Sequence, residues 1–165
     1  MVIIIMGLPG SGKSYFAERL ATSINAMYIN TDRLRKAMIN TRTYSTDEKL
    51  SVYDEMLQKM QAAVQRKKDI VLDGTFYRKD IRRKFILEAK DGITFIEVQA
   101  PEALIQERLQ QKREDSEADF KVYHIVKAQW EPLEREHLIL QSTDKNITDM
   151  LQRAIDYIHL QDDKK

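Results

Sequence analysis

The chain has 165 residues, enough for one domain with a real hydrophobic core, and its 42% apolar and 32% charged residues are those of a soluble globular protein. With 27 Lys and Arg against 26 Asp and Glu, the net charge of +1 excludes a global electrostatic footprint for nucleic acid or anionic membrane, though not a local basic groove. The absence of cysteine excludes disulfides, thiolate nucleophiles and cysteine metal sites.

The run VIIIM, residues 2–6, is β-branched and apolar throughout and predicts a strand buried on both faces of a parallel sheet. It is too short for a signal peptide or a membrane span, so no membrane contact is expected and the expected compartment is the cytoplasm. GLPGSGKS follows, Gly7 to Ser14, with three of the chain's five glycines. The spacing is that of the phosphate-wrapping P-loop, between a strand and a helix start, which is the context that motif needs. Small residues there let backbone N–H groups converge on an anion, and the helix N-terminus adds its dipole. The residues expected to hold a nucleoside triphosphate are Gly7, Pro9, Gly10, Ser11, Gly12, Lys13, Ser14 and Tyr15. Lys13 reaches the β- and γ-phosphates, and the Ser14 hydroxyl ligates Mg²⁺.

A helix is predicted from Lys13 to about Asn25, with Phe16, Leu20 and Ile24 at i, i+4 and i+8. MYI, residues 27–29, reads as the second strand, and the helix TDRLRKAMI after it takes Thr31 or Asp32 as its cap. Asp32 lies just beyond a strand end, where ligands bind in open α/β sheets, with Arg35 on the same helical face. A carboxylate there can accept the proton of an attacking hydroxyl; the competing role is a plain helix cap. Residues 45–67 predict a long helix with Ser45 and Glu48 as a capping box and Leu50, Tyr53, Leu57, Met60 and Val64 as its apolar stripe.

IVL, residues 70–72, is the third strand, and Asp73 after it is a candidate for the Mg²⁺ shell. Thr75 is expected on the acceptor side. The next helix is basic: Arg78, Lys79, Arg82, Arg83, Lys84 and Lys90 oppose only Asp80 and Glu88. Most of these belong to a solvated face; Arg82 and Arg83 are the ones expected to grip an anionic acceptor. TFIEVQ, residues 94–99, is the fourth strand, and Pro101 starts the helix EALIQERLQQKR. Its basic end leads into a polar hairpin, so a lid is expected over about 108–130, carrying Arg108 and Arg113 towards the transferring phosphoryl group. LIL, residues 138–140, is the fifth strand, and Asn146 opens the last helix. Strands alternating with helices from end to end predict one α/β domain over 1–165, a parallel sheet with helices on both faces.

GLPGSGKS, NTDRLRKAM, VLDGTFYRKDIRRKF, VQAPEALIQERLQQKRE and QWEPLE, in this order, resemble the small bacterial P-loop kinases known as AAA-family ATP-binding proteins. That group is similar to the kinase domain of polynucleotide 5′-kinases and, more distantly, to gluconate kinases and zeta toxins. The resemblance implies a five-stranded sheet in the order 2-3-1-4-5, with ATP and Mg²⁺ as cofactors. It implies Asp32 as general base, Arg35 as its acceptor-contacting neighbour and Asp73 as the aspartate after the third strand. It gives Arg82 or Arg83 to the acceptor site, and Arg108 and Arg113 to a lid near ATP. The activity implied is transfer of the γ-phosphate to a hydroxyl acceptor, with a polynucleotide 5′-hydroxyl as first expectation. The alternatives are a small polyol, sugar acid or nucleoside, or a nucleotide-dependent ATPase or switch that has no acceptor.

Overall fold

A computed structural model of the chain describes residues 1–43, 45–90, 92–111 and 119–164. The strands are β1 (Val2–Met6), β2 (Met27–Asn30), β3 (Ile70–Asp73), β4 (Ile93–Gln99) and β5 (Leu138–Gln141). They form one sheet in the order β2-β3-β1-β4-β5, with every neighbouring pair parallel. The helices among the described residues are α1 (Lys13–Ser23), α2 (Thr31–Met38), α3 (Thr46–Gln65), α4 (Lys79–Ala89), α5 (Glu102–Gln110), α6 (Phe120–Ala128) and α7 (Ile147–Asp162). None of them is long and apolar enough to cross a membrane.

Alternation along β1 divides the core in two, because successive side chains of a strand point to opposite faces. Val2, Ile4 and Met6 pack with Tyr53, Met56 and Met60 of α3 and with Ile81 and Phe85 of α4. Ile3 and Ile5 pack on the other face with Phe16 and Leu20 of α1 and with Met150, Ala154 and Ile158 of α7. The sheet is therefore covered on both sides, which is why its central strand, β1, is apolar without interruption.

Register positions the site. Ile5 of β1 and Asn30 of β2 both align with Asp73 of β3, so three strands end level at one edge. The P-loop, the start of α2 and the turn after β3 all leave from that edge.

Three local expectations are corrected. The cap of α2 is neither Thr31 nor Asp32 but Asn30, whose side-chain oxygen accepts from Arg33 N–H at 3.0 Å. Asn is as good a cap as Asp, and here the strand end delivers it to that position. The buried stripe of α3 is Val52, Tyr53, Met56, Met60 and Ala63, with Val64 exposed, because the packed face is rotated from the expected one. Ser45 does cap α3, accepting from Glu48 N–H at 3.1 Å, but the Glu48 carboxylate does not return to Ser45. It accepts instead from the backbone N–H and hydroxyl of Thr43, at 2.6 and 2.7 Å.

Arg82 is almost fully buried. Its guanidinium donates to the carbonyls of Phe76 at 2.6 Å, Glu131 at 2.7 Å and Pro132 at 3.2 Å. It thus pins the turn after β3 to the segment that follows α6. Arg82→Ala leaves these carbonyls without donors, at about 1–3 kcal/mol for each buried group left unpaired. A loss of about 2–4 kcal/mol in urea unfolding is expected, and Lys at this position does not restore it because it lacks the planar fork. A loss below about 1 kcal/mol would show that the clamp carries little.

Candidate active site

The loop between β1 and α1 is shaped by its glycines. Gly12, the N-cap of α1, sits at φ 89°, and a Cβ there would lie 2.7 Å from Ser142 Oγ and 3.0 Å from Arg108 Nη1. Left-handed backbone and this close approach both require glycine. No side chain caps α1 and no acidic residue sits in its first turn, so its free N–H groups face whatever the loop encloses. The buried Ser11 Oγ in the same loop has no hydrogen-bond partner.

Asp73 is completely buried at the end of β3. Its Oδ2 accepts from the Tyr28 hydroxyl at 2.8 Å and from Asn30 Nδ2 at 2.6 Å. The same Asn30 amide lies 3.2 Å from Ser14 Oγ. The other Asp73 oxygen, Oδ1, is buried and accepts no hydrogen bond. A buried carboxylate oxygen without a donor is costly unless a cation or its water completes it. Ser14 Oγ and the Asp73 carboxylate share the Asn30 amide, and with Asp73 Oδ1 left open the pair fits a Mg²⁺ ion beside the P-loop. Burial and the neighbouring Asp73 charge push the Tyr28 phenol far above its ordinary value, so it stays a donor.

Asp32 stands in the first turn of α2, relieved of capping by Asn30. Arg35 donates from Nη1 and Nη2 to Asp32 Oδ1, at 2.9 and 2.8 Å. Among the described residues no donor reaches Oδ2. Burial raises the Asp32 carboxyl above its ordinary value, and Arg35, Lys13 and Arg42 pull against that rise. Arg35 also approaches Glu48, with Nε 3.5 Å from Oε1, and Arg42 lies 4.0 Å from the same oxygen. Burial pushes the Glu48 carboxyl up, but the two Thr43 donors and these arginines outweigh it and hold Glu48 below its usual range.

The turn after β3 is fixed by Tyr53 of α3. Its hydroxyl accepts from Phe76 N–H at 3.0 Å and lies 3.3 Å from Thr75 Oγ1. Phe76 takes φ +46°, a conformation that costs energy for a bulky residue and is held here by Tyr53 and Arg82.

Two cavities open at this edge. One, of about 400 Å³, is lined by Asp32, Arg35, Arg42, Lys49, Thr75 and Tyr77 among others. The second, of about 390 Å³, is lined by Gly12, Arg108, Ser142, Asp144 and Asn146 among others. Gly10, Lys13, Ser14 and Tyr15 line both, so the cavities meet at the P-loop. Arg108 donates to Gly10 O at 3.2 Å, to Ser142 Oγ at 3.2 Å and to Asp144 at 3.3 Å.

Of the residues singled out in the sequence, Pro9, Gly10, Lys13, Ser14, Tyr15, Asp32, Arg35 and Thr75 line the first cavity, and Arg108 lines the second. Gly7 and Ser11 lie beneath them in the loop, and Asp73 lies behind Asn30. Arg82 and Arg83 are not brought there: Arg82 is committed to backbone carbonyls, and Arg83 is exposed elsewhere on α4. Arg113 lies outside the described residues, as do 112–118 of the expected lid. As site residues, Asn30, Glu48, Lys49, Tyr53 and Tyr77 escaped the sequence reading, which took Glu48 for a helix cap and Tyr53 for core. Of these only Asn30 carried a usable signal, a good capping residue at a strand end.

Residues 2–133 match the family model AAA_33, described as an AAA domain. No curated protein matches the chain. Among solved structures, a gluconokinase from Sinorhizobium meliloti 1021 superposes with a TM-score of 0.75 at 16% identity, over 96% of this chain and 91% of that one. An APS kinase from Mycobacterium tuberculosis, in complex with AMPPNP and APS, gives 0.72 at 16% identity, over 96% of both chains. The Pnkp1/Rnl/Hen1 RNA repair complex gives 0.64 at 17% identity, over 78% of this chain and 43% of the other. The fold is that of the P-loop kinases.

The electrostatics of Asp32 can be tested directly. Its carboxyl carbon, followed by NMR, should titrate above the ordinary aspartate value of about 3.9. Arg35→Leu should move the midpoint further up, because it removes a charge that favours the ionised form. A midpoint at or below the ordinary value would contradict the burial of this group.

Proposed function

The chain belongs to the AAA_33 family, and on that footing we propose that it is an ATP-dependent phosphotransferase that moves the γ-phosphate to a hydroxyl acceptor. The observation that carries this reading is the pair of cavities meeting at Lys13 and Ser14, with Asp32 in one and Arg108 in the other. The nucleotide belongs on the Arg108 side and the acceptor on the Asp32 side.

The α1 N-terminus and Lys13 hold the phosphates, and Arg108 braces the loop from behind through Gly10 O. Ser14 and Asp73 are the residues that would hold Mg²⁺, which when bound offsets charge on the β- and γ-phosphates. Arg35 fixes the Asp32 carboxylate by its two bonds to Oδ1, and Asp32 receives the acceptor's proton. The acceptor oxygen bonds to the γ-phosphorus while the bond from phosphorus to the bridging oxygen breaks, leaving that electron pair on ADP. Asp32 returns its proton to solvent. Positioning and charge do most of this work, since phosphoryl transfer leaves little covalent chemistry to the protein. Arg113 remains the proposed lid cation.

For the acceptor, the cavity favours a small hydroxyl compound over a polynucleotide end. A volume of about 400 Å³ lies in the range of small-molecule sites. Of the two arginines expected to grip an anionic acceptor, Arg82 is spent on backbone carbonyls and Arg83 is exposed away from the cavity.

Asp32→Ala should bind ATP–Mg²⁺ like the wild type in calorimetry while phosphoryl transfer falls by roughly 10²–10⁴. Because Asp32 must be ionised to accept a proton, the wild-type rate should fall as pH drops through its raised pKa. The acid limb then lies above the ordinary aspartate value. Unchanged transfer in Asp32→Ala would remove Asp32 from the chemistry.

A further inference from the structure

The acceptor cavity contains more cationic charge than the transfer step uses. Five cations line it: Lys13, Arg33, Arg35, Arg42 and Lys49. Lys13 serves the phosphates, and Arg33 pairs with Glu18 at 3.2 Å. Arg35, Arg42 and Lys49 then face two carboxylates, Asp32 and Glu48, which leaves one surplus positive charge. The surplus sits on Lys49. Arg35 bonds Asp32 and approaches Glu48, and Arg42 shares Glu48. Lys49, half-buried on α3, meets no carboxylate among the described residues. Its ammonium donates to the Tyr77 hydroxyl at 3.3 Å and lies 5.5 Å from the centre of that ring. Tyr77 is itself buried and fixed in the turn after β3. A phenol takes one of the three ammonium donors and neutralises none of the charge.

The apolar part of the cavity lies on Val52 of α3 and on Val122 and Val126 of α6. An occupant of this space therefore meets aliphatic wall, an ammonium with donors to spare, and the Asp32 carboxylate. Asp32 favours a hydroxyl at its end and repels an anion there. Lys49 and Arg42 favour an anion.

Resting on the phosphotransferase reading above, we propose that Lys49, with Tyr77 and Arg42, forms an anion subsite. The acceptor is a small hydroxyl compound that also bears an anionic oxygen group, a carboxylate or a phosphate monoester. The anion seats at Lys49 and leaves the hydroxyl to Asp32, so the subsite selects which hydroxyl compounds enter.

The test uses matched probes of two sizes: glycerol, glycerate and glycerol 3-phosphate, then ribose, ribonate and ribose 5-phosphate. Each is titrated calorimetrically into the protein already holding AMPPNP and Mg²⁺, so that the P-loop is filled and cannot bind the anion itself. At one size or both, an anionic probe should bind at least about tenfold tighter than its neutral counterpart, the scale of one charge-assisted hydrogen bond. Whether carboxylate or phosphate wins identifies the group. Lys49→Gln should erase the preference by about ten- to a hundredfold, and Lys49→Arg should keep most of it. Equal binding of neutral and anionic probes, no binding of any anionic probe, or a preference untouched by Lys49→Gln overturns the subsite. A 5′-hydroxyl oligonucleotide that binds tighter than every small probe also overturns it. Transfer from γ-labelled ATP is measured in parallel. If Lys49-dependent binding persists and no probe is phosphorylated, the phosphotransferase reading fails and the subsite stands.

Discussion

One side-chain amide holds the P-loop edge of the sheet together. Asn30 uses its oxygen to cap α2 and its nitrogen to reach Asp73 at 2.6 Å and Ser14 at 3.2 Å. The oxygen fixes where Asp32 begins its helical turn; the nitrogen fixes the carboxylate and hydroxyl beside the P-loop. This works only because β2 and β3 are in a register that sets Asn30 opposite Asp73. A one-residue slip of β2 would put the Asn30 side chain on the opposite face of the sheet from Asp73. The parallel sheet, with its apolar β1 at the centre, is thus the ruler against which three loops from distant parts of the sequence are measured.

Two carboxylates of the Asp32 cavity, Asp32 and Glu48, share one arginine. Arg35, nearly buried, serves both Asp32 and Glu48, and the two carboxylates respond in opposite directions. Glu48 has two Thr43 donors in addition and is held low; Asp32, whose hydrogen-bonding partner among the described residues is Arg35, is left high. A carboxyl raised by burial is a stronger base than an ordinary aspartate, which is what acceptance of a hydroxyl proton requires. Arginine suits this position because its planar fork can serve two groups at once.

The P-loop and most element positions were legible because they rest on local rules. VIIIM can be read as a central strand, GLPGSGKS demands backbone approach, and Asp32 and Asp73 stand at strand ends where parallel sheets bind ligands. The sheet order itself came by way of the resemblance. What could not be read were roles decided by a distant partner. Arg82 looked like a ligand in a basic helix, yet its partners are the carbonyls of Phe76, Glu131 and Pro132, the last two about fifty residues away. Glu48 looked like half of a capping box, and its carboxylate went to Thr43 and two arginines. Lys49 is one lysine in a polar helix until Tyr77, from another element, meets it.

The central claim is that the Asp32 cavity receives a hydroxyl compound and returns it phosphorylated. Phosphorus NMR of ATP, Mg²⁺ and the protein, run with and without a panel of hydroxyl compounds, tests this most directly. The account predicts a new phosphomonoester resonance that grows with ADP only when an acceptor is present. Formation of ADP and inorganic phosphate at one slow rate, whatever compound is added, would contradict it and leave a nucleotide-hydrolysing switch in its place.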